Sequence, residues 1–574
     1  MGGQINRIGI DGPWDIKRIL GTVPVEPDGS AIFNVPANTP IAMQPLDADG
    51  KAIAQMRSWS TAMPGEVVSC VGCHESQNTV PPASVRMASR RPVSEITPWY
   101  GDTRGFGFKE EVQPVLDKYC VSCHNGQKDK IPNFTDKAAV EVDCPDEKYK
   151  KGTKFSPSYI ALKRYVRGQT IESDLHLLRP YEFHVSNTEL IRMLEKGHNN
   201  VKLSTEAKSR LYTWIDLNTP YHGNWTSIMG REMVEPQRKR RFELMTRYSN
   251  RVDDEETIQP VFSKKEEPIM PKPLARQPVL NKFKTESLTS GNEKISINLG
   301  NSIDLKLVKI PAIEYKKDSA KCKPYWIGQF EVTNEQFKQF NPSHDSHLEF
   351  GDFLQFSVKG RGYFLNGAKQ PVCRISWEEA NAFCKWLSQK TGKRFSLPTD
   401  DQWEWACRAG TETPHWYGKD GKLFSQYANM ADSNLENIER RDRKVVVSAI
   451  PKWRPSISSQ NDGFRVSAPV GSYTPNAWGL HDMHGNVAEW THSLYADYPY
   501  FDSADHSALS NRGKRVVRGG SWYSRPKRAT SSYRWGYHPY QSVYDVGFRV
   551  VIEDSSNTGT MNTFAHRYHK GDSP

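Results

Sequence analysis

Two five-residue runs constrain this chain more than any other feature: Cys70-Val71-Gly72-Cys73-His74 and Cys120-Val121-Ser122-Cys123-His124. Both fit C-x-x-C-H, the attachment pattern for c-type haem. Thiols one turn apart can each form a thioether to a haem vinyl group, and the adjacent histidine is then held under the iron as an axial ligand. Four cysteines in two pairs could instead make a tetrahedral zinc site. Against that, residues 74–119 separate the pairs, well beyond the usual zinc-ribbon spacing, and each pair runs directly into a histidine. The runs therefore imply two covalent haem c groups, with Cys70, Cys73 and His74 holding one and Cys120, Cys123 and His124 the other.

The second run has the clearer context. Val112, Val115, Leu116 and Tyr119 stand at i, i+3, i+4 and i+7, one apolar helical face ending at Cys120. Pro114 fits such a helix in its first turn, where its missing N–H costs little. A helix that delivers C-x-x-C-H from its end resembles the start of small c-type cytochrome domains. A six-coordinate iron needs a second axial ligand, and His198 is the first choice. Residues 187–197 read as a short helix stopped by Gly197, which would fix His198 just past its C-terminus. His184 is the second choice. Met193, on an apolar face, reads as core. Residues 204–217 give a further amphipathic helix through Leu211, Trp214, Ile215 and Leu217.

Composition sets the frame around these runs. At 574 residues and 65.4 kDa the chain is too long for one core. A net charge of +11 with both signs interspersed implies a mildly cationic surface and no nucleic-acid partner. No apolar run reaches the length of a membrane span. Nine cysteines are too few for a disulfide scaffold at this size. Residues 1–62 alternate short apolar runs with the turn signals Asp28-Gly29 and Asp49-Gly50, predicting β-hairpins in a small β-rich segment. That segment opens in mid-pattern with no secretory signal in view, so an upstream strand set and signal peptide are expected to precede it. Haem attachment of this type occurs on the exported side of a membrane, which places the chain in the periplasm or an equivalent compartment.

Residues 1–250, through Gly21 to Ser30 (GTVPVEPDGS), Gly65 to Glu75 (GEVVSCVGCHE) and Glu111 to Gly126 (EVQPVLDKYCVSCHNG), resemble the C-terminal, dihaem part of hydrazine synthase alpha subunits. In that family the first of these haems is catalytic and a tyrosine four residues after the motif histidine ligates its iron. This chain has Asn78 there. The resemblance then implies two conventional histidine-ligated electron-transfer haems, served by a redox partner protein or a partner subunit.

The Pro-interrupted, charged text of residues 254–294 reads as an extended tether. Beyond it, Ser376-Trp377-Glu378-Glu379 opens a helix with a capping box, Gly392 stops it, and Thr399 caps another. Together with Asn476-Ala477-Trp478-Gly479-Leu480, Gly485-Asn486-Val487-Ala488-Glu489-Trp490, Val517-Arg518-Gly519-Gly520-Ser521-Trp522 and Gly547-Phe548-Arg549, these motifs resemble the formylglycine-generating enzyme family over residues 295–552. The implied fold class is multidomain: the β-rich segment (1–62), a mainly α c-type cytochrome region (63–253), the linker (254–294), an irregular α/β domain related to C-type lectins (295–552), and a tail (553–574).

Fold does not settle activity. The family's oxidases hold copper on two cysteines shortly after the GGS motif, where this chain has Ser524 and Ala529, and a tryptophan of the oxygen pocket is replaced by Ala488. Formylglycine generation is therefore not expected. The family also holds two structural calcium ions. Their ligand positions fall on Asn429, Met430 (carbonyl), Asp462 and Phe464 (carbonyl), and on Asp482, Gly485 (carbonyl), Val487 (carbonyl) and Glu489, an oxygen-rich set suited to Ca2+. The expected function is haem-based electron transfer or redox chemistry. The alternatives are a metal-dependent oxidase with Tyr533, Arg534 and His538 in its cleft, and a lectin-like binding or structural protein.

Overall fold

The computed structural model describes residues 7–10, 15–56, 59–70, 85–128, 131–141, 154–168, 180–182, 184–249, 254, 256, 293–314, 321–349, 363–435, 439–440, 445–446, 455–496 and 513–553. Cys73, His74 and Asn78, with most of the linker and the tail, lie outside these residues.

In the first half the apolar helical faces do the packing. Helix α1 (Gln113–Tyr119) continues a π-helical turn, Phe108–Val112, and carries Pro114 in its first turn. Its Val115, Leu116 and Tyr119 are buried with Val112. Helices α2 (Pro157–Lys163), α3 (Glu189–Glu195) and α4 (Thr205–Asp216) close around them, α2 and α4 each N-capped by a serine hydroxyl, Ser156 and Ser204. Phe108 is the hub, with ring centroids 5.2 Å from Tyr159 and 5.5 Å from Trp214. Glu111, fully buried, is held by Arg104 at 2.6 Å and by Arg210, so the charge is paired on two sides. A long charged helix, α5 (Arg231–Ser249), follows.

The expected β-hairpins of residues 1–62 do not form as ladders. The turns are present, with Gly29 at φ 80° and Gly50 at φ 81°. Among the described residues, however, the pairing is reduced to isolated bridges, and three of them reach to residues 94–105: Arg18 with Gly105, Thr22 with Thr97, and Phe33 with Ser94. Pro24, Pro27, Pro36, Pro40 and Pro45 interrupt the runs, and each removes a ladder N–H. This segment is a coat on the helical core rather than a sheet.

The second half has two main sheets, beside two-stranded ladders at 313–322, 348–364 and 439–446. Strands β1 (Lys294–Asn298), β2 (Asp304–Ile310), β3 (Tyr325–Gly328), β4 (Phe395–Ser396) and β9 (Val551–Glu553) form an antiparallel sheet in the order β4-β9-β3-β2-β1. Strands β5 (Ala488–Leu494), β6 (Arg515–Arg518), β7 (Trp535–Tyr537) and β8 (Val546–Phe548) form the other, in the order β7-β6-β5-β8, with β5 and β8 parallel. Helices α6 (Asn334–Lys338), α7 (Trp377–Thr391) and α8 (Asp400–Arg408) each begin with a complete capping box, at Thr333, Ser376 and Thr399. Gly392 ends α7 in the left-handed conformation, φ 69°, where any other residue would be strained. Cys373, Cys384 and Cys407 are buried thiols with no disulfide.

The two halves are joined by buried charge. Arg167 meets Glu349 at 2.6 Å, and Arg374 meets Glu182 at 2.7 Å. The Arg167 guanidinium also lies 3.4 Å from the Tyr544 ring centroid. Along α3, Glu189 pairs with Arg525 and Arg528, and Lys196 sits 3.5 Å above Tyr533 while donating to the Arg534 carbonyl at 3.1 Å.

Candidate functional site

The turn after α1 brings three motif residues together. The N–H groups of Cys123 and His124 both donate to the Cys120 carbonyl, at 3.1 and 3.0 Å. Both cysteines are free and half-buried, and burial pushes the Cys120 thiol up to about 12. The imidazole of His124 has its Nδ1 2.9 Å from the Pro132 carbonyl and lies nearly flat on Phe134, centroids 4.6 Å apart. That bond makes Nδ1 the protonated nitrogen and leaves Nε2 with its lone pair, the form that binds metal.

His198 comes to this point from α3. The helix ends at Glu195, Gly197 takes φ 91°, and the chain turns so that the His198 ring stands 6.0 Å from His124, centroid to centroid. Burial lowers the pKa of both rings, and for His198 the neighbouring His124 and Arg528 add to the effect. The two imidazoles thus meet at the turn that carries Cys120 and Cys123. His184 has a different setting: at φ 73°, it donates its N–H to the Arg167 carbonyl and accepts at its own carbonyl from Thr188 Oγ1 at 2.7 Å. Of the first motif only Cys70 falls among the described residues, and it is exposed.

A small, solvent-open pocket lies between the halves. Asn187, Glu189 and Arg192 of the α3 region form one wall, and Tyr523, Ser524, Tyr533, Trp535 and Asp545 line the other side. Ser524 faces this space where the formylglycine enzymes would have a copper cysteine, while Ala529 is fully buried behind it. No cysteine lines the pocket, so its residues do not fit copper. Tyr533 lines it as expected. Arg534 turns away to Asp400 at 2.7 Å, and His538 stacks on Tyr540.

The expected calcium residues gather into two buried acidic groups. In the first, Asp462 accepts from the N–H groups of Met430 and Phe464 and lies against Asp432. Burial and that second carboxylate push Asp462 up to about 7, and Asn429 Oδ1 has no hydrogen-bond partner. In the second, Asp482 and Glu489 are joined by Glu331, which the sequence reading missed. Both Glu331 oxygens and Asp482 Oδ1 are buried, and the Glu331 and Asp482 carboxyls lie against each other. Burial raises Glu331 well above the usual carboxylate range, with Asp482 adding to it, and Asp482 itself is pushed up to about 6. Arg549 pairs with Glu489 at 2.6 Å. The signal for Glu331 was an acidic residue between the apolar Phe330 and Val332, at a strand-to-helix junction. Among the described residues, no group of three or more His, Cys, Asp or Glu side chains closes into a ready-made metal site.

Comparison with known proteins bears on both halves. Residues 281–554 match the sulfatase-modifying factor enzyme 1-like domain, and residues 2–75 match the hydrazine synthase alpha subunit middle domain. The second match is narrower than the motif resemblance over 1–250, and it is to the middle domain rather than the dihaem part. The inactive C-alpha-formylglycine-generating enzyme 2 of Bos taurus is 32% identical over 313 residues, covering 44% of this chain and 90% of that protein. The formylglycine-generating enzyme of Bos taurus is 28% identical, over 41% of this chain and 67% of that one, so the match spans about two thirds of its length. Among solved structures, PvdO from Pseudomonas aeruginosa is similar at 23% identity and a TM-score of 0.33, over 46% of this chain and all of that one.

The loop-rich pair of sheets, with its GNVAEW and VRGGSW segments in place, defines a domain of the sulfatase-modifying class. The chain belongs, through residues 281–554, to the sulfatase-modifying factor (formylglycine-generating enzyme) family.

Proposed function

We propose that the chain is a c-type haem redox protein whose sulfatase-modifying-factor domain does not generate formylglycine. The observation that carries this reading is the 6.0 Å spacing of His124 and His198 beside Cys120 and Cys123. Metal–imidazole bonds of about 2 Å put two rings that share one ion roughly 6 Å apart between centroids. In this reading Cys120 and Cys123 would anchor one haem c, with His124 and His198 as the residues that would hold its iron, and Cys70, Cys73 and His74 would hold a second. Bound haem supplies one-electron transfer. The chain's own contribution is to fix the ligands: the Pro132 carbonyl orients His124, Phe134 steadies its plane, and the Gly197 turn aims His198.

Ser524 and Ala529 in the copper positions favour redox work by haem over oxygen activation in the second half. Calcium fits the two acidic groups, because a cation would supply the missing partner for Asn429 Oδ1 in one and would offset the crowded carboxyls of Glu331, Asp482 and Glu489 in the other. The work is done in an exported compartment with a redox partner protein or subunit. Among the described residues no helix is long and apolar enough to cross a membrane.

The test is expression with an export signal and c-type maturation machinery, followed by intact mass and haem staining. Two covalent haems are expected. A haem-free chain holding zinc would overturn the reading.

A further inference from the structure

The helix that delivers His198 is held, on the side away from its own core, by the other half of the chain. Helix α3 has seven residues, too few to be stable through backbone bonding alone, and its N-cap, Thr188, makes no side-chain cap bond. Leu190 and Ile191 are buried in the helical core, with Met193 and Leu194 packed against it. Glu189, Arg192 and Lys196 stand at i, i+3 and i+7, a stripe of charge of the kind that ordinarily faces water. Here each of the three meets the second half. Glu189 pairs with Arg525, and with Arg528 at 3.3 Å. The Arg192 guanidinium lies 5.1 Å from the Tyr537 ring centroid. Lys196 sits 3.5 Å from the Tyr533 ring centroid and donates to the Arg534 carbonyl at 3.1 Å. The first half contributes a pair of its own at this end, Lys51 with Glu195 at 2.6 Å. Gly197, at φ 91°, is the most permissive residue, so the aim of His198 is set by what holds its neighbours. Val201, whose N–H donates to the His198 carbonyl at 3.0 Å, packs on the helical core, and Lys196 is held by the second half.

We propose that the sulfatase-modifying half serves this chain as a clamp on the axial ligand: Arg525, Arg528 and Tyr533 are positioning residues that hold α3 so that His198 stays opposite His124. This role rests on the haem reading and deepens it, giving the second half a task that needs neither copper nor a thiol. A ligand carried just past the end of a short helix is released whenever that helix frays or shifts. Fixing the outer face of α3 at both ends removes that motion, as the groups behind a metal ligand do when they orient it. The contacts are shielded enough to act: the Glu189 side chain is 12% exposed and that of Arg528 18%, so water screens their pair less than it would at an open surface. The second half thus acts on the iron site through α3 and touches no reacting atom.

The experiment is rapid mixing of the full, haem-loaded ferric chain with cyanide. Cyanide enters six-coordinate iron only when an axial ligand leaves, and His124 is tethered by its motif, so the rate reads the release of His198. Two variants loosen the clamp from different places: Arg525→Gln with Arg528→Gln, and Tyr533→Leu. Each is expected to bind cyanide about tenfold faster than the unaltered chain, with covalent haem retained. Tyr533→Phe keeps a ring beside Lys196 and is expected to restore the slow rate. Leu387→Val opens a small cavity at a fully buried position of α7, outside the α3 contacts, and is expected to lower the melting temperature while leaving the rate alone. Circular dichroism identifies a variant that has failed to fold, and the other clamp variant then decides. Rates unmoved in the folded clamp variants would overturn the clamp and leave the haem reading standing, as would equal acceleration by Leu387→Val. An unaltered chain that takes up no covalent haem would overturn the haem reading and the clamp with it.

Discussion

Arg167 and Glu349, 182 residues apart in sequence, meet in a fully buried ion pair, Nη1 to Oε1 at 2.6 Å. Glu349 also lies 3.4 Å from Arg374, which holds Glu182, so two cations and two anions cross the junction between the halves. Glu349→Ala leaves Arg167 buried with a lost partner. The expected cost is about 3–5 kcal/mol, read from denaturant unfolding. A change within about 0.5 kcal/mol would mean the junction is wetter than the structure shows.

His198→Ala leaves the cysteine anchors of the second motif untouched. Covalent haem is expected to remain on the chain while the absorption spectrum changes from six-coordinate low-spin to high-spin iron. His124→Ala is expected to remove or severely reduce attachment at that motif. Met193 is partly buried against the helical core, and its replacement by Leu is expected to leave the spectrum unchanged. A low-spin spectrum that survives His198→Ala would remove His198 from the axial pair.

The acidic groups predict a stability that depends on pH and calcium together. A carboxyl whose folded pKa is raised binds its proton more tightly in the folded chain, so the chain is most stable below the ordinary value and loses stability as pH rises through the raised one. For Asp462 that window runs from 3.8 to about 7, and for Asp482 from 3.8 to about 6. Calcium-free protein is expected to melt at progressively lower temperature across this window, and millimolar calcium to reverse the loss near neutral pH. Melting curves with calcium or chelator at several pH values check this. Asp216, pushed up to about 8 by burial, contributes a loss of the same sign that calcium does not repair.

Gly485→Ala tests the loop that holds the second acidic group. Gly485 has φ 76°, and a Cβ there would overlap the carbonyl oxygen of Asn429. Backbone on both sides of the contact leaves nowhere to move, because Asn429 and Gly485 pair as a bridge and Asn486 N–H donates to Asn429 O at 2.8 Å. A loss of about 2–4 kcal/mol is expected in thermal or denaturant unfolding.

Local features of this fold were legible in the sequence. The helix ahead of Cys120, the Ser376 and Thr399 caps, and the Gly197 turn before His198 each depend on residues within one or two turns of each other. What could not be read joins distant parts of the chain. The turn at Gly50 does bring Leu46 and Ala52 together in an antiparallel bridge, but on either side of Gly29 Thr22 and Phe33 pair with Thr97 and Ser94 instead, because the intervening prolines break the local ladder. Arg192 and Asp545 share a pocket across more than half the chain, and nothing near either residue marks it. Glu331 carries no local mark of its role, because its acidic partners, Asp482 and Glu489, arrive from a loop and strand far downstream.

In sequence the two halves look like separate cassettes joined by a cuttable tether. The crossed pairs of Arg167 with Glu349 and Arg374 with Glu182 argue for the opposite history. Once each half has sunk a charge that only the other neutralises, neither can be shed, reshuffled or inherited alone without stranding it. Cutting the tether would therefore not release two finished pieces: four side chains make the join part of the fold.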